Sequence, residues 1–161
     1  MNENLDIERR FSGVRRLYGE AGLAKLQSSH VVVIGIGGVG SWAAEALARN
    51  ALGQITLIDL DNVAESNVNR QIHAVDANFG KAKVIAMQER IQAINPNCVV
   101  HEIEDFVTTD NINTLLDFEC DVMLDCTDST YAKMALASYC RTKQIPLMMS
   151  GSAGGRLDPT R

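Results

Sequence analysis

The sequence predicts an α/β fold: a mainly parallel five-stranded sheet, doubly wound with helices on both faces and preceded by an N-terminal helical segment. Three observations predict it. Short β-branched or aliphatic runs alternate with longer amphipathic stretches, as strand–helix–strand units do. The first run, VVVI at 31–34, passes directly into the glycine-rich GIGGVG at 35–40. A second run, ITLI at 55–58, ends on Asp59, at the distance where a Rossmann-like fold carries the carboxylate that accepts from ribose hydroxyls.

The elements follow in order. A helical segment over about 5–27 comes first, and strands are expected near 30–35, 54–59, 98–103, 121–125 and 146–150. Helices are expected near 38–51, 80–94, 110–117 and 129–142. In the second of these, Val84, Met87, Ile91 and Ile94 form one apolar stripe, and Asn95-Pro96 ends it. Right-handed crossovers between parallel strands give the order 3-2-1-4-5, with ligand at the carboxyl ends of strands 1, 2 and 4. Residues 1–28 read as the helical segment and 29–155 as a Rossmann-like nucleotide-binding domain. Residues 156–161 read as the start of a truncated C-terminal extension, because a glycine-rich segment after a strand normally leads onward.

Composition narrows the classes. The chain has 161 residues, 46% hydrophobic and 22% charged, which suits one soluble globular domain. No run is apolar and long enough for a signal peptide or a membrane span, so a cytoplasmic protein is expected. A net charge of −5 argues against broad nucleic-acid binding through a basic surface. The four cysteines contain no C-x-x-C pair, so neither zinc nor a disulfide framework is implied.

The glycines have distinct tasks: Gly35 turns the chain off the strand, Gly37 admits a phosphate close to the backbone, and Gly40 lets the helix pack on the sheet. The helix expected from about Gly38 aims free N–H groups at an anion. The S-N-V-N-R-Q stretch (66–71) is rich in phosphate donors, and Lys83 opens the next helix, where a cation opposes the helix dipole unless an anion compensates. Arg70 as a planar fork and Lys83 as a point charge suit a polyphosphate, so ATP is read in preference to NAD. No P-loop is present, since Gly80-Lys81 is followed by Ala82. Strand 4 ends near two carboxylates, Asp125 and Asp128. Asp128 is the better Mg²⁺ ligand, with a helix N-cap as its other reading. Trp42 reads as core, Cys126 as a buried thiol, and His73 as either an acid–base group or a structural hydrogen-bonder.

GIGGVG, D-L-D-N-V-x-x-S-N-x-N-R-Q (59–71), G-K-A-K (80–83), I-N-P (94–96) and D-C-T-D (125–128) resemble the E1-like adenylating enzymes, a group that includes the bacterial activators of ubiquitin-like sulfur carriers. The resemblance implies that Gly35, Gly37, Gly38, Gly40, Asp59, Asp61, Asn67, Arg70, Lys83 and Asp128 bind ATP or its magnesium. It implies catalytic roles for Arg70 and Lys83, and for an N-terminal arginine reaching across a homodimer: Arg16, or alternatively Arg15. The segments R-L-Y-G (16–19), R-Q-I-H-A (70–74) and S-G-S-A-G-G…D-P-T (150–160) look most like the branch that dehydrates threonylcarbamoyladenosine in tRNA. The implied reaction is adenylation of a carboxylate, followed by attack on it from within the same side chain. An activator of a ubiquitin-like sulfur carrier shares the first half-reaction and would bring a protein partner. An NAD-dependent oxidoreductase would leave Asn67, Arg70 and Lys83 without roles. A nucleotide-sensing domain without catalysis is the remaining alternative.

Overall fold

The structure, a computed structural model, describes residues 6–151. It contains α1 (Ile7–Ser28), β1 (His30–Ile34), α2 (Gly40–Arg49), β2 (Gln54–Ile58), α3 (Lys83–Ile94) and β3 (Val99–Ile103). α4 (Ile112–Leu115), β4 (Val122–Asp125), α5 (Thr130–Lys143) and β5 (Leu147–Met149) follow. The strands form one sheet in the order β3-β2-β1-β4-β5, and every pairing is parallel. This is the order that the strand–helix alternation predicts.

The central strand is buried on both sides, so its apolar run is continuous. Val31 and Val33 pack with Ala44, Ala48, Val84, Met87 and Ile91 from α2 and α3. Val32 and Ile34 face the other way and pack with Ile112, Leu116, Leu136 and Cys140 from α4 and α5. Each such fully buried aliphatic side chain contributes about 1.5–3 kcal/mol relative to exposure, which is what holds helices on both faces.

Helix α1 is fastened at the amino-terminal edge of the sheet. Arg10 donates to the carbonyl of Ile94, Gly53 N–H donates to Leu26 O, and Lys25 pairs with Asp121 at 2.9 Å. A Cβ at Gly53 would lie 1.9 Å from Gln27 O, so only glycine permits this approach. The helix kinks at Gly19, where φ is +72°.

Several boundaries differ from expectation. α2 starts at Gly40 and α3 at Lys83, later than the pattern implied. Before α3 the chain is still turning, with Gly80 at φ +82° and Asn62 bridged to Ala82. Trp42 is not core: it is 54% exposed, because the buried face of α2 is Gly40, Ser41, Ala44, Glu45 and Ala48. Its indole N–H instead donates to the carbonyl of Arg70 at 2.9 Å. The expected extension at 156–161 lies outside the described residues, as does the end of the glycine-rich segment. Among the described residues no helix is long and apolar enough to cross a membrane.

Candidate nucleotide-binding site

The chain leaves β1 through Gly35, whose φ of +85° belongs to the left-handed region that favours glycine. A Cβ at Gly40 would lie 1.8 Å from Gly35 O, so α2 abuts the turn directly. Gly37 is different. Its missing Cβ would have nothing nearer than Gln71 Nε2 at 4.0 Å, which leaves the backbone open to a ligand. The turn stands at the carboxyl edge of β1, between β2 and β4, where the strand order reverses and α/β folds bind ligands.

Asp59 locks this edge. Its carboxylate accepts from Ile36 N–H at 2.6 Å and from Asp61 N–H at 2.8 Å, joining the glycine turn to the loop after β2. Burial raises its pKa, while those two N–H groups and Lys83 oppose the rise. Each oxygen keeps a second lone pair, so a ribose hydroxyl can still donate to it.

Lys83 is 6% exposed at the start of α3. Its ammonium pairs with Asp61 at 2.7 Å and lies 3.8 Å from Asp59. A cation at a helix start needs an anion to offset it, and in this structure the two carboxylates serve. Asp61 itself has a side chain 57% exposed, so the pair opens to solvent on one side.

Arg70 arches over the turn, its stem 3.3 Å from where a Gly38 Cβ would be. Its guanidinium donates to Ser66 O and Asn69 Oδ1, both at 3.0 Å, and remains exposed. Asn67 is buried and shapes the loop: its side chain accepts from Ala64 N–H at 3.1 Å, and its carbonyl accepts from the N–H groups of Arg70 and Gln71.

The structure separates the two carboxylates after β4. Asp125 is fully buried and accepts from Thr127 and Lys133, whereas Asp128 is exposed. The α5 N-cap is Ser129, which accepts from Ala132 N–H, so the capping role considered for Asp128 falls to its neighbour. Among the described residues no group of three or more His, Cys, Asp or Glu forms a metal cluster. A single exposed carboxylate fits Mg²⁺ carried by phosphates, which takes one or two protein carboxylates and keeps waters.

The other candidates fall elsewhere. Arg16 is exposed on α1, and Arg15 pairs with Glu20 at 3.5 Å. No hydrogen bond or ion pair joins either to the glycine turn. Burial pushes the Cys126 thiol up to about 11, which removes it as a preformed nucleophile. His73 makes neither kind of side-chain contact considered for it: the ring is 1% exposed and both nitrogens lack a partner. Two residues that fasten the loops of the site were not singled out for that role in the sequence: Trp42, which donates to Arg70 O, and Lys133, which donates to Asp125. Lys133 alone carried a signal, being a cation in the first turn of a helix, as Lys83 is.

An open glycine turn at a switch point, flanked by Arg70 and Lys83 and backed by Asp59, has the chemistry of a nucleotide site on an α/β fold. Residues 11–160 match the ThiF family, and the chain belongs to it. It is 52% identical over 152 residues to the tRNA threonylcarbamoyladenosine dehydratase of Escherichia coli, covering 94% of this chain and 57% of that protein. The Haemophilus influenzae enzyme of the same name is 44% identical over 156 residues, covering 97% and 60%. Molybdopterin-synthase adenylyltransferase of Salmonella typhimurium is 34% identical over 132 residues, covering 82% and 52%. The crystal structure of the E. coli dehydratase in complex with ATP superposes with a TM-score of 0.92 over 95% of this chain and 63% of that one, at 52% identity. The chain thus spans about 60% of the length of the dehydratases it matches.

Proposed function

We propose that this chain is the adenylating domain of an ATP-dependent tRNA threonylcarbamoyladenosine dehydratase. The observation that carries the reading is the open Gly37 backbone at the carboxyl edge of the sheet, with Arg70 against the adjoining Gly38 and Lys83 beside Asp59. The ATP complex of the E. coli relative supports the choice of nucleotide.

In this reading the ribose hydroxyls donate to Asp59 and the phosphates lie along the glycine turn. Lys83 exchanges Asp61 for phosphate oxygens, and Arg70 turns its fork from Ser66 O to the same group. Asp128 would hold Mg²⁺, which would neutralise charge on the phosphates. A carboxylate oxygen of the modified adenosine attacks the α-phosphorus, the bond to the β-phosphate breaks, and pyrophosphate leaves. The activated carboxyl carbon is then attacked from within the same side chain, expelling AMP with net loss of water. Positioning and charge stabilisation suffice, so no protein nucleophile is required. Arg16 acts on the phosphates of the partner protomer in a homodimer, a role supported by its exposure beside exposed Leu17 and Tyr18. Such a protein works in the cytoplasm, where its tRNA is.

Titration calorimetry with Mg-ATP and, separately, with NAD tests the nucleotide. Mass spectrometry of nucleosides from treated tRNA tests the reaction, with loss of one water as the expected product. Binding of NAD without ATP overturns the reading. Adenylation of a small carrier protein's C-terminus with tRNA left unchanged would move the chain to the sulfur-carrier activators, toward which the 34% relative points.

A further inference from the structure

Lys133 has no part in the scheme above, yet it makes two bonds at the same edge of the sheet. Its ammonium donates to Asp125 Oδ2 and to Ser150 O, both at 2.8 Å. Asp125 is the last residue of β4 and is 0% exposed, and Ser150 directly follows β5. The other oxygen of Asp125 accepts from Thr127 N–H at 3.0 Å and Thr127 Oγ1–H at 2.7 Å. Ser150 N–H closes the circuit by donating to Asp125 O at 2.9 Å. All these bonds bear on the four-residue turn 125–128.

That turn has no freedom on its other side. Cys126 N–H donates to Ile34 O at 2.8 Å, and a Cβ at Gly35 would lie 3.0 Å from the Cys126 backbone. The turn is therefore wedged between the glycine turn and the Lys133 ammonium, and it ends on exposed Asp128. Without the ammonium, Asp125 would be a buried carboxylate held only by Thr127, and β4 and β5 would lose their side-chain link. A carboxylate so stranded draws water or rearranges its loop to reach solvent.

We infer that Lys133 is a positioning residue for the polyphosphate end of the site: by bonding Asp125 and Ser150 together it holds the 125–128 turn, and with it Asp128, the residue that would hold the metal of a bound nucleotide. The inference rests on the nucleotide reading above. It separates two parts of the ligand, because the ribose end is held by Asp59, which Lys133 does not touch.

The test compares affinities of the full chain for Mg-ATP and for metal-free AMP by calorimetry, in wild type, Lys133→Met and Lys133→Arg. Lys133→Met should weaken Mg-ATP binding tenfold or more and AMP binding by less than twofold. Lys133→Arg, which keeps a charged donor, should recover most of the Mg-ATP affinity. Lys133→Gln covers the case in which Lys133→Met fails to fold, and the same inequality between the nucleotides is required of it. Equal losses for both nucleotides, or none in a wild type that binds Mg-ATP, overturn the positioning role alone. A wild type that binds neither nucleotide overturns the nucleotide reading and this inference with it.

Discussion

His73 gives a sharp test of the packing behind Lys83. Its ring is 1% exposed with both nitrogens unpartnered. Burial, reinforced by the charges of Lys83 and Arg90, pushes its pKa down from 6.5 to about 4. The unfolded chain therefore binds a proton that the folded chain refuses. This group's contribution to stability is complete above pH 6.5 and is lost as pH falls toward 4. Over the whole window the linkage amounts to about 3 kcal/mol, of which about 2 kcal/mol is gone by pH 5. His73→Leu keeps roughly the volume and abolishes the titration. Urea unfolding of both proteins at about pH 7.5 and about pH 5 measures the effect, since the carboxylates common to both cancel. Wild type should lose about 2 kcal/mol more than the variant between these conditions. A stability gap that does not change with pH would refute the reasoning, and would mean that the ring reaches solvent or a partner.

Two glycines should separate folding from binding. Gly40→Ala places a methyl 1.8 Å from a carbonyl oxygen and should cost about 4 kcal/mol or prevent folding, read as the melting temperature. Gly37→Ala meets nothing within 3.4 Å; it should melt as wild type does while losing tenfold or more in Mg-ATP affinity, and retained affinity would take phosphate away from that turn. Lys83→Ala should abolish Mg-ATP binding. It should also cost about 1–2 kcal/mol by leaving Asp59 without its cation, a moderate penalty because Asp61 is exposed enough to rehydrate. Trp42→Phe removes the bond to Arg70 O and should raise the ATP KM several-fold with under about 1 kcal/mol of lost stability. An unchanged KM would show that the indole does not steady the Arg70 loop.

The strand order was legible because it depends on patterns local to each segment. VVVI is a continuous apolar run and ITLI is interrupted only by Thr56, so both faces had to be covered, and the helical stretches between them could only cross over. The glycine turn was legible for the same reason, its work being done by the backbone of six adjacent residues. Trp42 was misread because an exposed apolar face and a buried one carry the same period; only the packing of Ala44, Glu45 and Ala48 on the sheet decides between them. The partners of Lys133, eight and seventeen residues away, are brought together by the β4–β5 pairing, which no local pattern encodes. The silence of both His73 nitrogens is likewise a property of what surrounds the ring.

Asp61 is a decoy for any phosphate aimed at Lys83. Asp61 occupies the ammonium at 2.7 Å, and a phosphate oxygen must evict it before it can bind there. The ammonium's net gain from phosphate is then the difference between two anions, smaller than its gain would be from water alone. Salt that screens the incoming phosphate also loosens the decoy, so nucleotide affinity should fall less steeply with ionic strength than the cation count suggests. Asp61 keeps this buried cation paired, so in the proposed reading the same side chain serves stability and recognition in turn.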